Sequence, residues 1–120
     1  MKYFFDTYAL FEIYRKNEAY KKFLDEDIVT GNLNLGELYY GFLKEGKKKI
    51  GAELFNKLAN MTIQENHETI RKAMEFRHLH KSKKFSYIDC ISYINSMEKK
   101  LLFLTGDEQF REIPGVEFVK

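Results

Sequence analysis

Asp6, Glu37, Asp89 and Asp107 are the residues of this chain whose type and placement could do chemistry. Asp6 closes the apolar run KYFF (2–5), and Asp107 follows LLFL (101–104) across Thr105-Gly106. Glu37 and Asp89 fall in what read as the first turns of two amphipathic helices. Each acid also fits plain helix capping. Asn34–Glu37 and Ser86–Asp89 have the spacing of capping boxes, and Asp6 and Asp107 could cap the segments after them. The helix dipole favours acids in first turns in any case. Taken together, the four argue for more. Gathered in one crevice, they repel, and each carboxyl is driven toward protonation. A divalent cation removes that conflict, and an oxygen-only donor set selects Mg²⁺, or Mn²⁺, over zinc. Such an ion lowers the pKa of a bound water and stabilises the attacking and leaving oxygens of a phosphodiester.

The elements that must position these acids follow from periodicity. KYFF reads as a first strand, followed by a helix with Leu10, Ile13 and Tyr14 on one face. AYKKFL (19–24) reads as a short helix and DIVTG (27–31) as a second strand. Apolar residues recur at three- and four-residue steps from Leu35 to Lys44, which predicts a helix ended by Gly46. KKKIGAELFNKLAN (47–60) is a further helix, and MTIQ (61–64) a third strand. A long helix follows from about 65 to 80, with Ile70, Met74 and Phe76 or Arg77 turned inward, and another from Tyr87 to about Lys99. LLFL is the most strongly apolar strand, EQFRE (108–112) a short helical turn, and VEFV (116–119) the last strand. Strands alternating with helices predict an α/β domain with a largely parallel sheet. Ligands of such sheets bind beyond the carboxyl ends of the strands. Asp6, Glu37 and Asp107 would share that edge, and Asp89 joins them if its helix starts there.

Composition sets the frame. The 120 residues, 44% hydrophobic and 32% charged, with one proline and no linker-like stretch, predict a single globular domain over 1–120. A net charge of +2 permits an anionic partner without requiring one. The basic charge is clustered in KEGKKK (44–49) and KSKK (81–84). Lys83 and Lys84 just precede Ser86 and Asp89, so they are expected to hold substrate phosphates at the rim of the acidic crevice. His67, His78 and His80 lack HExxH spacing, which argues against zinc. Cys90 stands alone, so a reducing compartment is expected, with no histidine placed to activate the thiol. No apolar run approaches bilayer length, and MKYFFD puts an acid where a secretory signal needs an apolar stretch. The expected location is the cytoplasm, with no membrane partner.

DTYAL (6–10), NLGELYYG (34–41), FSYIDCISYINS (85–96) and LLFLTGDEQF (101–110) resemble the four acidic motifs of the PIN-domain ribonucleases. Length and spacing are most similar to the VapC-type toxins of bacterial and archaeal toxin–antitoxin pairs. The resemblance implies a PIN-like three-layer sandwich with a central, largely parallel five-stranded sheet. It implies an endoribonuclease dependent on Mg²⁺ or Mn²⁺, acting on an RNA substrate, homodimeric, and bound by a cognate antitoxin. It carries over Asp6, Glu37, Asp89 and Asp107 as catalytic metal ligands, with Thr105 as a supporting polar group. Gly106 stands where such proteins often have a larger polar residue, and Ser92 and Asn95 fall in a helix that is often alanine-rich. Cleavage would proceed by in-line attack of a metal-activated water, leaving a 3′-hydroxyl and a 5′-phosphate. Two rivals remain. A receiver-like phosphorylation domain needs an adjacent acidic pair after the first strand, which Phe5-Asp6-Thr7 lacks. A PIN-like RNA-processing nuclease, or a non-cleaving RNA- or protein-binding module, would share the fold.

Overall fold

Three parallel strands form the centre of the molecule. In a computed structural model that describes residues 2–120, β1 (Tyr3–Phe5) lies beside β4 (Leu102–Thr105), and β4 lies beside β5 (Val116–Phe118). The register sets Tyr3 against Leu102 and Phe5 against Leu104. Two further strands, β2 (Thr30–Gly31) and β3 (Thr62–Ile63), pair in parallel as a separate two-stranded sheet.

All five expected strands therefore exist and all are parallel, but they do not form one five-stranded sheet. The two sheets meet through one backbone bond, from Phe5 N to Val29 O at 2.7 Å. The next position in that ladder is taken by a side chain: Thr30 Oγ1 donates to Phe5 O at 2.7 Å. A hydroxyl that satisfies the carbonyl removes the acceptor a continuing ladder would use. β2 is also too short to recover pairing, because a helix (α2, Asn32–Lys44) starts directly after Gly31.

The helices are α1 (Thr7–Tyr14), α2 (Asn32–Lys44), α3 (Lys48–Leu58), α4 (His67–Leu79) and α5 (Tyr87–Glu98). The AYKKFL segment is a 3₁₀ turn (Glu18–Phe23) rather than an α-helix, capped by the Asn17 side chain on Ala19 N. α4 is rotated from the expected face. Thr69 and Ala73 are buried and Ile70 is 39% exposed. Thr69 directs the rotation: its hydroxyl donates to Glu98 Oε1 on α5 at 2.5 Å, and its backbone N–H donates to the Asn66 cap.

Strand alternation divides the core in two. Tyr3, Phe5 and Leu104 face a cluster with Leu10 of α1 and Leu35, Leu38 and Phe42 of α2. Phe4 and Phe103 face the other cluster, with Ala73 of α4, Cys90 and Tyr93 of α5, and Phe110. Helices thus cover both faces of the sheet, which is a three-layer α/β sandwich. Among the described residues, no helix is long and apolar enough to cross a membrane.

Candidate active site

The carboxyl end of β1 delivers Asp6. Its backbone is extended, and its N–H donates to Leu104 O at 3.1 Å, so the residue stays tied to the sheet edge. Asp6 precedes α1 in the N-cap position, yet its carboxylate makes no capping bond, contrary to the capping expectation. It turns to the sheet instead. Thr105 Oγ1 donates to Asp6 Oδ2 at 2.7 Å, and Asn34 Nδ2 lies 3.4 Å from Oδ1. Asp6 is 4% exposed. Burial is the largest cause that lifts its carboxyl from the usual 3.8 to about 7; the charges of Asp89 and Glu37 add to this, while the Thr105 hydroxyl opposes it.

Glu37 does not lie in a first turn. α2 starts three residues before the expected Leu35, so Glu37 falls in the second turn and Asn34 is a buried helical residue, not an N-cap. The cap position is Gly31, where a Cβ would come within 2.8 Å of Asn34 Oδ1 and 3.3 Å of the Phe4 ring. Glu37 Oε1 accepts a hydrogen bond from Thr7 Oγ1 at 2.6 Å. Burial raises the Glu37 carboxyl, the Asp89 charge adds to it, and the Thr7 hydroxyl opposes. α1 and α2 reach this contact because they cross closely at Gly41, where any Cβ would overlap the Phe11 ring.

Asp89 is part of the capping box read from the sequence. Its N–H donates to Ser86 Oγ at 3.0 Å, and Ser86 N–H donates to Asp89 Oδ2 at 2.9 Å. Burial raises its carboxyl, against the Ser86 hydrogen bonds and with the help of the Asp107 charge. Asp107 caps the 3₁₀ turn Glu108–Phe110 by accepting from Gln109 N at 3.0 Å. Its own N–H donates to Thr105 Oγ1 at 3.2 Å. The buried Thr105 hydroxyl therefore links two of the acids, donating to Asp6 and accepting from Asp107.

All four acids line one cleft of about 360 Å³, together with Thr7, Tyr40 and Lys44. Capping and clustering are thus compatible for Asp89 and Asp107. The carboxylates are not drawn into a closed cage: among the described residues, no three His, Cys, Asp or Glu side chains converge tightly enough to hold an ion directly. Glu37, Asp89 and Asp107 are each restrained by a hydroxyl or backbone partner. The donor set still fits a hard divalent ion. It is all oxygen, neighbouring carboxylate charge helps raise Asp6, Glu37 and Asp89, and Mg²⁺ keeps part of its water shell rather than demanding an all-protein cage.

Sequence reasoning missed three polar residues here. Asn34 donates to Thr7 Oγ1 at 3.1 Å and faces Asp6, and its Oδ1 is a buried acceptor without a partner among the described residues. Thr7, adjacent to Asp6, positions Glu37. Lys44 lines the cleft, with its ammonium 5.1 Å from the centre of the Tyr40 ring. For Lys44 the signal was helical spacing: Glu37, Tyr40, Gly41 and Lys44 form one i, i+3, i+4, i+7 stripe. Lys83 and Lys84, by contrast, do not line the acidic cleft. Lys83 lines a separate cavity, and Lys84 N donates to Gln109 Oε1 at 3.0 Å.

The fold is thus a parallel α/β sandwich with an acidic cleft beyond the carboxyl ends of β1 and β4. The chain belongs to the PIN domain family, whose model matches residues 3–116. Solved structures share the fold over nearly their full length. A toxin–antitoxin complex from Klebsiella pneumoniae is 17% identical, with 97% of this chain and 95% of that chain covered and a TM-score of 0.74. Mycobacterium tuberculosis VapC20, a sarcin-ricin loop cleaving toxin, is 18% identical, with 99% and 100% covered and a TM-score of 0.75. VapBC2 from Rickettsia felis, bound to a DNA fragment from its promoter, is 18% identical, with both chains fully covered and a TM-score of 0.73. At these identities the likeness is one of fold. No curated protein matches the chain significantly by sequence.

Proposed function

We propose that the protein is a divalent-metal-dependent endoribonuclease and the toxin of a VapBC-type toxin–antitoxin pair, with residues 1–120 acting as one nuclease domain. The observation that carries this reading is the shared cleft of Asp6, Glu37, Asp89 and Asp107, in which burial and mutual charge push Asp6, Glu37 and Asp89 toward protonation. Such an arrangement is a cost to the fold unless a cation offsets it. Asp6, Glu37, Asp89 and Asp107 would hold Mg²⁺, or Mn²⁺, directly or through water. A bound ion supplies a water of lowered pKa and stabilises charge on the attacking and leaving oxygens.

The protein's own groups orient and exclude. Thr105 fixes Asp6 and the start of the Asp107 turn with one hydroxyl. Thr7 holds Glu37, and Ser86 holds Asp89. Lys44 offers a positive charge to a phosphate entering the cleft, and Tyr40 beside it is 61% exposed for contact with a base. Hydrolysis leaves a 3′-hydroxyl and a 5′-phosphate. The homodimer and the cognate antitoxin rest on the fold shared with toxin–antitoxin complexes. An antitoxin that inserts a basic side chain into the acidic cleft would shut it.

The test is cleavage-site mapping on total RNA with Mg²⁺, comparing wild type, wild type in chelator, and Asp89→Asn. Discrete cuts with 5′-phosphate ends, lost in both controls, are expected. Equal cleavage by Asp89→Asn would remove the site assignment. Growth that continues on expression of the chain alone would turn the reading to a housekeeping nuclease. RNA binding without any cleavage would turn it to a binding module.

A further inference from the structure

The basic counterpart of the acidic cleft lies on the other side of the start of α5. Arg77 and His78 of α4, Lys81 and Lys83 of the connecting loop, and Tyr87 at the head of α5 line a cavity of about 290 Å³, floored by Met74. Among the described residues, no carboxylate lines it. Of the four arginines, Arg15, Arg71 and Arg111 pair with glutamates, whereas Arg77 has no ion-pair partner among the described residues. His78, Lys81 and Lys83 have none either. Arg77 is nonetheless held in place. Its Nε donates to Phe85 O at 3.1 Å, and its guanidinium lies 4.3 Å from the centre of the Tyr87 ring. Like charges around one cavity, one of them fixed and none compensated, have the chemistry of an anion site.

We propose that this cavity is a phosphate-binding subsite that grips single-stranded RNA one step away from the acidic cleft. The inference rests on the nuclease reading for its choice of ligand. Three features favour an RNA strand over a free anion. Tyr87 is 59% exposed, so its ring can stack a base while Arg77 lies against it. Tyr87 and Asp89 share the first turn of α5, two residues apart and so on different sides of the helix. A strand laid across that turn meets cations on one side and carboxylates on the other. Lastly, the loop is tied to the acidic site, because Lys84 N donates to Gln109 in the turn that Asp107 caps. The phosphate bound here is therefore a flanking one, not the one that is cut.

The experiment is fluorescence anisotropy with a labelled single-stranded RNA, on full-length protein carrying Asp6→Asn so that the strand stays intact. Affinity is measured against salt for this parent, for added Lys81→Ala/Lys83→Ala, and for added Tyr87→Leu. Arg77 is left alone because it also holds Phe85 O. Loss of two lysines should shallow the log–log salt slope by ~1.4, two single-strand contacts at ~0.7 each. Tyr87→Leu should weaken binding with the slope unchanged. Slopes and affinities equal to the parent's overturn the subsite, as does an unchanged RNA slope with lost affinity for a poly-glutamate peptide, which would make the cavity a protein-docking site. The nuclease reading fails separately. Wild-type cleavage with no effect of the lysines removes only the subsite, and lysine-dependent binding without wild-type cleavage removes only the nuclease.

Discussion

Asp6→Asn should stabilise the metal-free protein at alkaline pH while abolishing its response to metal. The Asp6 carboxyl ionises near 7 in the fold against 3.8 in the unfolded chain, chiefly because it is buried. Between those values the native state holds a proton that the unfolded state has released. Stability must then fall as pH rises. The contribution is intact below about 4 and lost as pH passes through about 7. The displacement from 3.8 to about 7 corresponds to ~4 kcal/mol at full ionisation. Asparagine has the shape of the protonated acid without the charge. Its carbonyl can take the hydrogen bond from Thr105 Oγ1, and its amide would face Asn34, whose orphaned Oδ1 can accept after a half-turn of that side chain.

The assay is urea unfolding in chelator at intervals from pH 4.5 to 8.5, for wild type and Asp6→Asn. Glu37 and Asp89 are also raised by burial, so both proteins lose some stability with rising pH. The difference between the two curves isolates Asp6. It should be small near pH 4.5 and grow toward ~4 kcal/mol by pH 8.5 in favour of the variant. Mg²⁺ or Mn²⁺ at pH 8 should then raise the wild-type midpoint and leave the variant's nearly unmoved, because a ligand stabilises only the state that binds it. A variant less stable than wild type at pH 8.5 in chelator, or parallel curves, would refute the reasoning. So would an equal rise in both midpoints on adding metal.

Thr105→Val removes the hydroxyl that donates to Asp6 and accepts from Asp107 N; thermal melts should register a loss of ~1–3 kcal/mol. Ser86→Ala breaks the capping box at the start of α5, costs ~1 kcal/mol by urea unfolding and frees Asp89 from the Ser86 hydroxyl. Gly106→Ala places a Cβ against Val119 O and the Tyr8 ring. Because the first of these is backbone, overpacking of ~1–3 kcal/mol is expected in the same measurement; an unchanged midpoint would mean that this edge of the sheet yields easily.

What the sequence disclosed depended on whether a feature was local. Ser86–Asp89 was legible because a capping box is closed by two backbone amides within three residues. Asn34–Glu37 carries the same spacing and means something else. There β2 runs straight into α2 through Gly31, so the helix starts at Asn32 and Asn34 is buried against Thr7 and Asp6. The misreading has a tertiary cause that spacing cannot carry. The strands behaved alike. Their five positions followed from apolar runs and strand propensity, but the break between two sheets turns on the Thr30 hydroxyl choosing Phe5 O, a contact across 25 residues. Charge was the hardest to read. KSKK drew attention to Lys83 and Lys84 as one unit, whereas the fold gives Lys83 to a cavity with Arg77 and fixes the Lys84 backbone to Gln109. Arg77 entered only as an alternative to Phe76 on the inward face of its helix, not as a charge, being one of several cations there. It stands out only once the other three arginines are seen to be paired and Tyr87 lies against it. Asp6 and Asp107 were legible for a different reason: a carboxylate just past the end of a buried strand is exceptional by type and place together. Lysines and arginines on helix surfaces are common, so their meaning emerges only from what the fold leaves uncompensated.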